Sequence, residues 1–149
     1  MILLLLLIFQ KQYLNDQEIE RIREAQEIDK RTAVFLRIAE RRLDALFGVR
    51  SDSRSKEDYG EYPTGSPAEL LISYVSVYEE LMNNLDDAYE RRKGQLLDKA
   101  MDMLLKSCNQ QKRRLESFRP KTQAEQTSLK KALETLDTVI EGAKAYSSQ

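Results

Sequence analysis

The side chains in this chain with the most chemical potential are four tyrosines, one cysteine and a few turn-spaced acids. Tyr74 and Tyr78 stand one helical turn apart, so on a helix their rings share a face. Such a pair can line a slot between helices for a small molecule, with the hydroxyls as polar handles. The default reading is core packing with each hydroxyl reaching the rim, and the slot is the alternative. Tyr59 and Tyr62 are aromatic handles in an otherwise polar run, fitted either to contact a ligand or partner or to pin that run to the fold. Cys108 follows Leu104 and Leu105 on an apolar face, which is the place of a small buried hydrophobe. As the single cysteine, it forms no disulfide within the chain and says nothing about redox compartment. Asp98 with Asp102, and Asp86 with Glu90, have the spacing of oxygen donors for a hard cation, but neighbouring lysines and arginines make a solvated face the simpler account.

Other chemistries are excluded by composition. The chain has no histidine. That removes the Glu-x-x-His di-iron bundle, histidine-ligated haem, Cys2His2 zinc, and any Ser–His or Cys–His nucleophile. Gly60 and Gly65 fit neither phosphate-binding glycine pattern. We therefore expect no catalytic residues, no metal and no cofactor. Basic side chains cluster at Arg91-Arg92-Lys93 and, more strongly, at Lys112, Arg113, Arg114, Arg119 and Lys121. The second cluster lies where a helix C-terminus favours cations. With a formal net charge of −1, the chain is not expected to take nucleic acid as its partner.

The elements that must carry these residues are helices. Charged residues make up 33% and aromatics 7%, and no alternating β-branched run stands between turns, so no sheet is expected. Ser66-Pro67-Ala68-Glu69 is a capping box with proline at the first helical position. The stretch it opens, Ser66 to Phe118, carries the longest apolar pattern: Leu71, Tyr74, Tyr78, Leu81, Leu85, then Leu97, Ala100, Met101, Leu104 and Cys108. Gly94 after a basic run reads as a helix end, with glycine in the left-handed position. Asn15 with Glu18 and Thr122 with Glu125 form two further capping boxes, and Gly48 closes the first helix. The last helix repeats Leu129, Leu133, Leu136, Ile140 and Ala143 at bundle spacing. The expected fold is all-α, an antiparallel bundle of four helices over 16–47, 67–93, 95–118 and 123–146. The alternative is three helices with a long central one bent near Gly94.

Residues 15–149 read as a single helical-bundle domain with a long loop over 48–66, and residues 1–14 as a separate apolar segment. The run Met1 to Phe9 is too short to span a bilayer, which needs about 20 residues. It has the length of an export-signal core but lacks a basic start and a small-x-small cleavage site. Export-signal remnant or membrane-proximal anchor, an element packed on the bundle, and an oligomer contact are the three readings. The first favours an exported or membrane-proximal location, with membrane association through residues 1–9. The functional expectation is a non-enzymatic helical bundle acting through a protein partner or self-association. The alternative is a small-ligand-binding bundle using the tyrosines and the 49–65 loop.

Overall fold

The structure, a computed structural model, describes residues 13–49, 53–91 and 94–149. Among these residues all regular structure is helical: α1 Asp16–Glu24, α2 Ile28–Leu46, α3 Ser53–Tyr59, α4 Pro67–Arg91, α5 Gln95–Glu116 and α6 Gln123–Ser147. The apolar run over 1–9 lies outside the described residues.

Six helices replace the expected four, for two local reasons. The segment expected as one helix over 16–47 breaks at Ala25, whose ψ of 88° leaves the helical region, and restarts at Ile28. The loop expected over 48–66 contains α3. Between α4 and α5 the chain turns rather than running through as one bent helix. Gly94 is there the N-cap of α5 with φ 171°, extended backbone open to any residue, not the left-handed C-terminal glycine its context suggested.

The capping boxes at Asn15 and Thr122 form in full, and the one at Ser66 in its serine half. The Asn15 side chain accepts from Glu18 N–H at 2.7 Å and Glu18 accepts from Asn15 N–H at 3.1 Å. Thr122 and Glu125 make the same exchange at 3.1 and 2.7 Å. Ser66 Oγ accepts from Glu69 N–H at 3.2 Å. Each such cap contributes about 1 kcal/mol to its helix.

Side-chain pairs set the directions of the four long helices. Arg31 reaches Asn84 and Arg42 reaches Ser73, so α2 and α4 run antiparallel. Lys112 meets Asp137 and Tyr146 meets Asp98, so α5 and α6 do too. Asp29 faces Lys99 and Asp44 faces Arg114, so α2 and α5 are parallel neighbours. Consecutive α4 and α5 therefore sit across the core from one another, each packed between α2 and α6. The core is filled by Phe35, Ile38 and Leu43 of α2, Leu71 and Leu81 of α4, Leu97, Leu104 and Leu115 of α5, and Leu136 and Val139 of α6. Each such side chain gains about 1.5–3 kcal/mol on burial. Among the described residues no helix is long and apolar enough to cross a membrane.

Candidate functional site

The most unusual feature is a buried charge cluster under α1. Arg41, Arg42 and Glu18 are at most 1% exposed. Glu18 reaches this place through the break at Ala25, which folds α1 back along α2. Arg42 uses all five of its N–H groups. Nη2 donates to Glu18 Oε1 at 2.8 Å and to Tyr13 O at 2.6 Å. Nη1 donates to Glu18 Oε2 and to Ile38 O, the latter at 3.0 Å. Nε donates to Ser73 Oγ at 3.1 Å. Only a planar fork satisfies so many acceptors from one position.

Arg41 ties down the other side. Its Nη1 donates to Glu18 Oε2 at 3.1 Å and to Tyr59 O at 2.9 Å, and its Nη2 to Gly60 O at 2.5 Å. Its guanidinium carbon lies 4.8 Å from the centre of the Tyr62 ring and 5.6 Å from that of Tyr59. Burial pulls the Arg41 pKa below the ordinary value, against the opposing pull of the Glu18 carboxylate. Gly60 makes the close approach possible. Its φ is +79°, and a Cβ there would sit 2.1 Å from Gln17 Oε1. Asn15 Nδ2 donates to Tyr59 O at 2.9 Å and Arg21 Nε to Asp58 O at 2.8 Å, so α1 and the 58–61 segment are also tied to each other.

The sequence reading placed Tyr59 and Tyr62 but missed the arginines they cover. One signal was present. Arg42 follows Ile28 and Phe35 at intervals of seven, on the line where the apolar stripe of α2 continues. Nothing local marked Glu18 as the counterion, because a capping glutamate explains itself.

Tyr74 and Tyr78 lie elsewhere, in the centre of the bundle with both side chains fully buried. Their rings are 5.1 Å apart, and both hydroxyls donate to Gln111 Oε1 at 2.6 Å. Cys108 Sγ is 3.6 Å from the Tyr78 hydroxyl. Burial raises both tyrosines well above the usual value and pushes the Cys108 thiol up to about 12. A thiol held in that way is not a nucleophile at neutral pH. The four tyrosines thus form two separate pairs rather than one lining.

In the basic cluster, Lys112 pairs with Asp137 at 2.6 Å and Arg114 with Asp44 at 3.0 Å, while Arg114 also lies 5.4 Å over the Phe47 ring. Arg113, Arg119 and Lys121 are exposed beside them. Two of the five cations are therefore already neutralised by neighbouring helices.

Two grooves flank these features. One of about 630 Å³ lies beside the charge cluster, between Asn15 and Gln17 on one wall and Tyr62, Pro63 and Leu70 on the other. The larger, about 810 Å³, opens at the far end of α2. Ile28, Ala88, Leu96 and Leu97 give it an apolar floor, and Glu27, Arg31, Asp87 and Arg91 a charged rim. Leu96 is 43% exposed there, a large aliphatic side chain facing water.

Fold and site together define an all-α protein of packed helices in which α1 is latched over a buried arginine pair. Set against protein-family models, the curated proteins and the solved structures, the chain matches none.

Proposed function

We propose that this protein is a non-enzymatic helical module that works by holding a protein partner. The observation that carries the reading is the groove at the elbow between α1 and α2. It joins an apolar floor to a rim of both charge signs, the make-up of a contact surface with a desolvated centre and a polar edge. Leu96 is its exposed anchor. The groups elsewhere with chemical potential spend their bonding capacity inside the fold: Glu18 on Arg41 and Arg42, the two tyrosines on Gln111. That favours a scaffold over a reactive centre.

The test is site-specific photo-crosslinking in cells that make the protein. A photoreactive residue replacing Leu96 should capture a polypeptide, whereas one replacing Lys130, which is exposed on α6, should not. Capture equal at the two positions, or at neither, overturns the assignment of this groove.

A further inference from the structure

The break between α1 and α2 has no cause in residue type. It consists of Ala25, Gln26 and Glu27, all good helix formers, with neither glycine nor proline. The N-cap of α2 is Glu27, which makes no side-chain capping bond, and Ala25 leaves the helix at φ −83°, ψ 88°. An uncapped restart inside a helix-forming sequence forgoes backbone hydrogen bonds that a straight helix would make. The bend is held by tertiary contacts instead: Glu18 on Arg41 and Arg42, Asn15 on Tyr59, Arg21 on Asp58. Those contacts are indifferent to whether α1 belongs to the same chain.

We propose that this elbow is a hinge through which α1 exchanges between two copies of the chain. In the open form, Asp16 to Leu46 is one helix, and Glu18 of each copy seats on Arg41 and Arg42 of the other. The inference rests on the reading of the protein as a partner-binding module and names a second copy as a partner. The geometry is self-consistent. α1 runs antiparallel to α2 in the closed form, with Glu18 against Arg41 and Ala25 against Arg31. Two straight helices crossing antiparallel restore the Glu18–Arg41 pairing between chains, with a two-fold axis close to Asp29 and Lys30, midway between positions 18 and 41. A two-fold arrangement closes on itself and needs no further contact.

A separate observation points the same way. The apolar groove is lined by the elbow itself, through Gln26, Glu27 and Ile28, and by the exposed Leu96. Its lining residues Ile28 and Arg31 flank Asp29 and Lys30, the positions of that axis. Exchange would bring the corresponding grooves of two copies towards each other and cover a surface that the closed monomer leaves wet.

The experiment uses two full-length variants, Arg21→Cys and Asp58→Cys. These positions form an ion pair at 3.2 Å on the rim of the latch. The native Cys108 is buried and stays out of the reaction. The two proteins are mixed at high concentration, held just below their unfolding temperature, cooled, and treated with a short bis-maleimide. Exchange gives a cross-linked species of twice the chain mass, and light scattering shows a dimer. Repeating the mixture with Glu27→Pro added to both chains is the control. Glu27 has φ −78° and ψ 139°, which proline adopts readily, and its carbonyl still accepts from Arg31 N–H. The closed form survives, but a straight helix through position 27 does not. The expected result is loss of at least nine-tenths of the cross-linked dimer with circular dichroism unchanged. No intermolecular product in the parent mixture, or equal product with Glu27→Pro, overturns the proposal. Failure here with Leu96 still capturing a different protein removes strap exchange alone. Failure of capture at Leu96 with exchange intact removes the groove assignment alone.

Discussion

Glu18 and Arg42 meet as a fork on a carboxylate, sealed from water beneath α1, with Glu18 Oε1 2.8 Å from Arg42 Nη2 and Arg41 closing the second oxygen. Two cations share one anion, carbonyls of Tyr13, Ile38, Tyr59 and Gly60 take four further N–H groups, Ser73 Oγ takes Arg42 Nε, and Arg41 Nε is buried without a partner. Such a cluster is costly to assemble and more costly to break, because the surviving charges stay buried.

Removing the carboxylate should therefore destabilise the protein strongly. Glu18→Ala is expected to cost about 3–5 kcal/mol, since it strands two buried guanidinium groups. Urea unfolding followed by circular dichroism measures it. Arg42→Lys should lose more than half as much as Arg42→Ala, because a single ammonium cannot reach Glu18, Tyr13, Ile38 and Ser73 together. A change below 1 kcal/mol for Glu18→Ala would mean that water already reaches the cluster.

Gly60 lies against Gln17 and Asn15, with no room for a side chain. Gly60→Ala places a Cβ 2.1 Å from Gln17 Oε1 and forces a side chain into φ +79°. The left-handed conformation alone costs about 1–2 kcal/mol, and the contact with Gln17 adds to it. Gln17→Ala in the same chain should recover the steric share and leave the backbone share. A double-mutant cycle on thermal midpoints separates the two. Full additivity would show that Gln17 simply swings away.

The same cluster explains which parts of the fold were legible in the sequence. Helix starts were legible wherever a capping residue preceded an acid by three positions, as at Asn15, Ser66 and Thr122. Apolar rows located the core faces of α4, α5 and α6, because those faces are built from Leu, Val, Ile and Tyr. On α2 an apolar row finds Phe35, Leu36, Ile38, Ala39 and Leu43 but misses the rest of the buried face. Its buried face includes Asp29, Thr32, Arg41 and Arg42, polar letters that a periodicity search assigns to solvent. The elbow was missed for a related reason. Ala25-Gln26-Glu27 looks helical, and what bends it is a contact 23 positions away, between Glu18 and Arg41. The latch on Tyr59 and Tyr62 was likewise out of reach, because its arginines looked like surface charge.

In the bundle centre, one amide oxygen serves two hydroxyls. Tyr74→Phe leaves Gln111 Oε1 with its bond from Tyr78, so it should cost only about 1 kcal/mol. Gln111→Leu strands both hydroxyls in a dry core, with a penalty of about 1–3 kcal/mol for each. The double variant Tyr74→Phe with Tyr78→Phe should exceed the sum of its singles, because only then does the buried amide lose both donors. Denaturant unfolding of the four variants decides it. Simple additivity would mean that Gln111 Oε1 finds another donor, such as a water admitted to the core.

Cys108 supplies the clearest pH dependence. Its thiol is raised from 9.0 to about 12 in the folded protein, first by burial, with its hydrogen bond to the Tyr78 hydroxyl opposing. The folded state thus holds this proton more tightly than the unfolded chain does. The associated stability is fully present below about pH 9 and drains away as pH climbs towards 12. Tyr74 and Tyr78, raised by burial in the same core, add to the same alkaline slope. Cys108→Ala should therefore flatten, without abolishing, the fall in unfolding free energy between pH 9 and the alkaline limit. A second readout is kinetic. Disulfide-exchange labelling of Cys108 at pH 8 should proceed only through opening of the bundle, so its rate should follow stability across the variants above. Glu18→Ala would then label faster than the parent only as far as it destabilises the core itself. Rapid labelling of the unaltered native protein at pH 8 would contradict the burial of this thiol between α4 and α5.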